Sequence, residues 1–160
     1  LPDLRRCDLN LISASSRGTY LSVGESRMLP YLIDYLRGVG WARPGSLLVQ
    51  ELPVNNRRVD LALMSSTGRM SAFELKQTGL ARALEQAAYN RFSFDRSWLV
   101  VPSRPLTRNL ESAREHGLGT LVVGDDGRIT VLTRPAPSVA DPTMRSRVRS
   151  RMQTVGENLV

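Results

Sequence analysis

The chain has 160 residues, 41% hydrophobic and 23% charged, which is the size and composition of one folded domain and not of a disordered segment. A single cysteine, Cys7, excludes an internal disulfide and offers no zinc-ligand spacing; no apolar run approaches the roughly 20 residues that cross a bilayer. Lys plus Arg number 22 against 15 Asp plus Glu, and this net +7 favours a polyanionic partner.

The N-terminus lacks the charged, apolar, small-residue order of a secretory signal, so a soluble intracellular protein is expected. Residues 1–21 mix polar and apolar positions (Leu9, Leu11, Ile12, Tyr20, Leu21) without a period and read as an extended lead-in. Next, Met28, Leu29, Leu32, Ile33 and Leu36 fall at helical spacing up to Arg37, with Gly38 and Gly40 as a stop. Ser22 to Glu25 has the Ser-x-x-Glu form of a capping box, yet Pro30 would then lie inside the helix, so its start stays open.

After Arg43-Pro44-Gly45 come three strand-like segments, Leu47–Val54, Arg58–Ser65 and Met70–Gln77, the last two joined by a tight hairpin at Ser66-Thr67-Gly68. Leu80 to about Phe92 reads as a helix with Thr78 as its cap, and Trp98–Pro102 as a short buried strand. Thr107 caps a helix that runs to His116 and stops at Gly117; Thr120–Val123 then pairs with Arg128–Leu132 across Asp125-Asp126-Gly127. The expected architecture is a single α/β domain over residues 1–134, with a core at about 22–132 in which helices flank a central mixed β-sheet. Residues 135–160 read as a Pro-rich linker and a basic C-terminal tail, in which Arg145, Arg147, Arg149 and Arg151 alternate with Ser or Val. Asp141-Pro142 offers a start for a short helix there, and a solvated tail and a nucleic-acid-binding arm fit the composition equally.

Chemistry concentrates in Asp60, Glu74 and Lys76, the last being the only lysine in the chain. Side chains alternate along a strand, so Glu74 and Lys76 share one face while Phe73 and Leu75 take the other. A three-residue hairpin loop pairs Ser65 with Arg69 and, counting back, sets Asp60 opposite Glu74. Two carboxylates at close range repel unless a cation sits between them, and Mg²⁺ suits one or two carboxylates plus waters and phosphate oxygens. Asp60 and Glu74 with the Leu75 carbonyl make such an incomplete shell, Glu25 or Glu51 stands as a further acid, and Lys76 is placed to serve an attacking water.

Asp60, a hairpin and then Glu74-Leu75-Lys76 resemble the signature of the PD-(D/E)XK, or restriction-endonuclease-like, nuclease superfamily, whose order of elements is similar to that expected from about Glu25 to Leu132. The resemblance implies that Asp60 and Glu74 bind Mg²⁺, with Mn²⁺ able to substitute, that Lys76 assists the nucleophilic water, and that DNA is the substrate of an endonuclease. Gln86 and Tyr89 resemble a Gln and Tyr pair on the following helix in one subset of that family, although the step between them is one residue shorter, and no proline precedes Asp60. Gln86 is therefore grouped with the catalytic residues, and Arg57, Arg58, Arg82 and Tyr89 with DNA binding. A non-catalytic DNA-binding or assembly module that retains the fold is the alternative; a homodimer or a partner subunit is expected if both strands are cut.

Overall fold

The computed structural model describes residues 11–13, 21–137 and 140–157; Cys7, Leu9 and Tyr20 lie outside them. The chain is an α/β fold with a seven-stranded mixed sheet whose strands lie side by side in chain order. The elements are β1 (Leu11–Ser13), α1 (Val23–Gly38), β2 (Leu47–Val54), β3 (Arg57–Met64), β4 (Met70–Leu75), α2 (Leu80–Asn90), β5 (Arg96–Val101), α3 (Thr107–Glu115), β6 (Gly119–Val123), β7 (Ile129–Thr133) and α4 (Pro142–Glu157). β1 pairs parallel to β2; β2, β3 and β4 form an antiparallel meander; β4, β5 and β6 are parallel, and β7 returns antiparallel.

The connections explain this order. Asn55 and Asn56 both hold left-handed backbone (φ 48 and 62), as a two-residue hairpin between β2 and β3 requires. The β3–β4 loop closes with the Ser65 N–H donating to the Arg69 carbonyl, and the pairs Leu61 with Phe73 and Met64 with Met70 give the register expected from the sequence. The parallel pairs β4–β5 and β5–β6 are each joined through a helix, α2 and α3 respectively, since parallel strands need a crossover.

α1 covers one face of the sheet, where Leu32, Leu36 and Met28 pack with Leu61, Leu63, Phe73 and Trp98. On the other face α2 and α3 pack against Leu99 and Val101, and α4 against Val49, Ala62 and Ala72. Gly119 stands opposite Trp98, and a Cβ there would run into the indole.

The start of α1 is settled in favour of the capping box. The Ser22 hydroxyl accepts from the Glu25 N–H at 3.2 Å while the Glu25 carboxylate accepts from the Ser22 N–H at 2.8 Å. Pro30 lies inside the helix on its exposed side, where water can serve the carbonyl left unpaired. α2 begins at Gly79 in left-handed backbone with no side-chain cap, and α3 follows Leu106 without one, so neither Thr78 nor Thr107 caps as expected. Residues 142–157 form a full helix docked on the sheet through Val148 and Met152, which a tail reading does not provide. Among the described residues no helix is long and apolar enough to cross a membrane.

Candidate active site

β3 and β4 both present apolar residues to α1, which turns their alternate positions, Asp60 and Glu74, to the opposite face beside α2. There a cavity of about 230 Å³ is lined by Asp60, Glu74, Leu75 and Lys76 together with Glu25, Arg58, Arg82 and Gln86. The Asp60 carboxylate accepts from the Leu75 N–H at 2.8 Å, past the last ladder pair, and this bond locks it beside Glu74. Glu74 is only 4% exposed and accepts from the Asn90 amide, Nδ2 to Oε1, at 2.9 Å.

Burial pushes the Asp60 carboxyl from 3.8 up to about 6, against the opposing pull of the Leu75 N–H. Glu74 is pushed well above the ordinary carboxylate range, first by burial and then by the Asp60 charge. Lys76 extends past the end of β4, its N–H donating to the Val100 carbonyl at 2.9 Å and its ammonium lying 3.7 Å from Glu25 Oε1.

Glu25 does two jobs. Besides capping α1 it accepts from the Gln77 N–H at 3.4 Å, tying the helix to the end of β4. Burial would raise its carboxyl, but hydrogen bonds from Ser22 and Gln77 and the Lys76 charge outweigh that and hold it below the usual range. Its rival Glu51 does not line the cavity: it is buried in β2 with left-handed backbone (φ 57), and it drops out of the ladder between the pairs Gln50 with Leu61 and Leu52 with Val59.

Gln86 reaches the cavity wall, whereas Tyr89 does not. Tyr89 carries the Arg57 guanidinium over its ring, 4.1 Å from the centroid, and meets Phe92 edge-on, so Arg57 and Tyr89 form a separate pair outside the cavity. Arg58 and Arg82 sit at its exposed rim. Asn90 was missed by the sequence reading. Its signal was there: it continues the apolar face of α2 after Ala83 and Ala87, a position where an amide needs a buried partner.

Among the described residues no three Asp, Glu, His or Cys side chains are grouped to hold a metal by themselves. The cavity therefore offers two adjacent carboxyls, a third acid held back by Lys76, and a cationic rim.

No family model matches the chain, and no curated protein matches it. Among solved structures, a protein of unknown function from Silicibacter pomeroyi superposes with a TM-score of 0.64 at 18% identity, over 88% of this chain and 90% of that one. A repair endonuclease from Pyrococcus abyssi gives a TM-score of 0.46 at 18% identity, covering 64% of this chain and 48% of its own. EndoMS in complex with double-stranded DNA gives 0.46 at 21% identity, covering 67% and 47%. This chain thus spans about half the length of each of these last two chains.

Proposed function

We propose that this protein is a divalent-metal-dependent nuclease that hydrolyses phosphodiester bonds of DNA, as an endonuclease, in the Asp60–Glu74–Lys76 cavity. The observation that carries this reading is the carboxyl pair. Asp60 and Glu74 are pressed together with both acidities weakened by burial and mutual repulsion, an arrangement that stabilises an apo-domain poorly and suits a cation well. Their hard oxygens and the Leu75 carbonyl would hold Mg²⁺, or Mn²⁺ in its place, with waters completing the shell. When bound, the metal polarises the phosphate, lowers the pKa of a water and neutralises charge at phosphorus.

The chain's own groups do the rest. Asn90 fixes the Glu74 carboxylate in one orientation, and the Leu75 N–H does the same for Asp60. Glu25 keeps the Lys76 ammonium at the cavity, where it orients the water or offsets phosphate charge, and Gln86 supplies a neutral donor in the cavity wall. Arg58 and Arg82 at the rim, with Arg57 on its Tyr89 platform beyond, hold the flanking phosphates.

The test is cleavage of linear duplex, single-stranded and branched DNA, and of RNA, with Mg²⁺, Mn²⁺ or EDTA. Metal-dependent cutting of DNA is expected, with losses of at least about a hundredfold in Asp60→Asn and Lys76→Ala. Salt-sensitive DNA binding with no metal-dependent cleavage would replace this reading by a binding module.

A further inference from the structure

A second cavity, about 480 Å³, lies on the opposite face of the sheet from Glu74 and at the other end of β4, beside the β3–β4 hairpin. From Arg69 to Lys76 the strand spans roughly 20 Å, so the two cavities are separate. The sequence makes this space by stopping α1 short. Gly40, at φ 79, ends the helix with its N–H on the Arg37 carbonyl and the Trp41 N–H on the Leu36 carbonyl, the double bond of a Schellman motif. That turn folds Trp41 back under the helix end, where it meets Trp98 with centroids 5.4 Å apart and Tyr35 edge-on at 6.3 Å.

Four arginines, Arg43, Arg69, Arg96 and Arg134, line the cavity, and no acidic side chain does so among the described residues. Among the described residues none of the four guanidinium groups has a salt-bridge partner, and Arg96 donates to the Asp95 backbone carbonyl. Four like charges around one space cost free energy through mutual repulsion, and an anion relieves it. Trp98, 2% exposed, closes the floor of the cavity behind Trp41. Trp41 is half-buried, its ring braced by two aromatic neighbours, and offers an apolar plane beside the charges.

Guanidinium forks match phosphate, an indole plane matches a nucleobase, and the volume falls within the range of sites that enclose small cofactors. We infer that this cavity binds a nucleotide, with its phosphates on Arg43, Arg69, Arg96 and Arg134 and its base against Trp41. The ligand is either a free nucleotide or one unstacked nucleotide of a single strand. The inference does not depend on the nuclease reading, since none of its residues lines the Asp60 cavity.

Trp41 and Trp98 are the only two tryptophans of the chain, so all its indole fluorescence reports from this cavity. The experiment titrates the full chain in EDTA with ATP, AMP, adenosine, inorganic phosphate and a short single-stranded oligonucleotide, exciting at the red edge of indole absorption. Saturable changes with ATP and AMP are expected, ATP binding more tightly, while adenosine and phosphate bind at least about tenfold more weakly than AMP. Arg43→Glu/Arg134→Glu, at two exposed positions, is expected to lose at least about tenfold in affinity, Arg134→Ala less, and Asp60→Asn none. An oligonucleotide that displaces AMP and binds more tightly assigns the site to a strand; failure to displace it assigns the site to the free nucleotide. No saturable change, adenosine or phosphate binding as tightly as AMP, or full affinity in the double variant would each overturn the inference.

Discussion

Asp60 carries the sharpest prediction at the scale of single residues. Its carboxyl titrates at about 6 in the folded chain against 3.8 ordinarily, so between these values the native state binds more protons than the unfolded one. Stability then falls as pH rises through that window, the opposite of a salt-bridged Asp, and levels off above it at a cost of about 3 kcal/mol. Asn at this position keeps an acceptor for the Leu75 N–H but no charge. Asp60→Asn is therefore expected to match wild type below pH 3.8, to gain on it through about 6, and to unfold at higher urea near neutrality in EDTA. Mg²⁺ should close the gap by stabilising wild type alone. Parallel curves for the two proteins across this range would refute the account. The meeting of Asp60 and Glu74 was legible in the sequence because one loop length and strict strand alternation determine it. The Asn90 bond to Glu74 was not, since it depends on how α2 crosses β4, which no local pattern encodes. Glu25 is an intermediate case. Its capping box is local and readable, whereas its grip on Gln77 and Lys76 joins residues about fifty positions apart.

Among the elements, α4 shows how a stronger pattern can hide a weaker one. The alternation of Arg145, Arg147, Arg149 and Arg151 suggests a period of two, and it masks Met144, Val148, Met152 and Val155, which recur at helical spacing with one apolar residue per turn. So narrow a stripe yields a helix only because the sheet supplies a surface: Val148 and Met152 are buried against β2 and its neighbours. Two of the arginines then act as anchors. Arg145 grips Asp95 with bonds of 2.7 and 2.9 Å, and Arg149 donates to the Gly68 carbonyl of the β3–β4 hairpin at 3.0 Å. Burial would raise the Asp95 carboxyl, but Arg145 and the Met70 N–H outweigh it and hold it below the ordinary range. Met152→Ala is expected to cost about 2–5 kcal/mol in urea unfolding, whereas Arg147→Ala, on the exposed side, stays within about 0.5 kcal/mol. Equal small effects would mean that α4 adds nothing to the fold. Helix starts were the other weak point. Gly79 opens α2 by adopting left-handed backbone, a conformation that neighbouring Thr78 gave no reason to expect.

For the whole molecule, the net charge of +7 matters through where its arginines are free to act. Arg145 is already neutralised by Asp95 and lies near the start of β5, away from the carboxyl cavity. Arg82 stands at the rim of that cavity, exposed and able to meet a phosphate. A protein that neutralises phosphates releases condensed counterions, so the logarithm of its affinity for duplex DNA falls linearly with the logarithm of salt, with a slope of about −0.9 per phosphate contacted. On the proposed reading, binding of a duplex measured in EDTA on the Asp60→Asn protein, which removes turnover, should show such a line. Arg82→Ala should flatten its slope by about 0.9 and weaken binding alike for unrelated sequences, because phosphate contacts carry no sequence information. Arg145→Ala should leave the slope where it was, since a guanidinium already paired with a carboxylate has no counterion to release. If both variants flattened the slope equally, the field of the whole basic surface, rather than the rim of the carboxyl cavity, would be what holds DNA, and the cavity would lose its claim to the scissile phosphate.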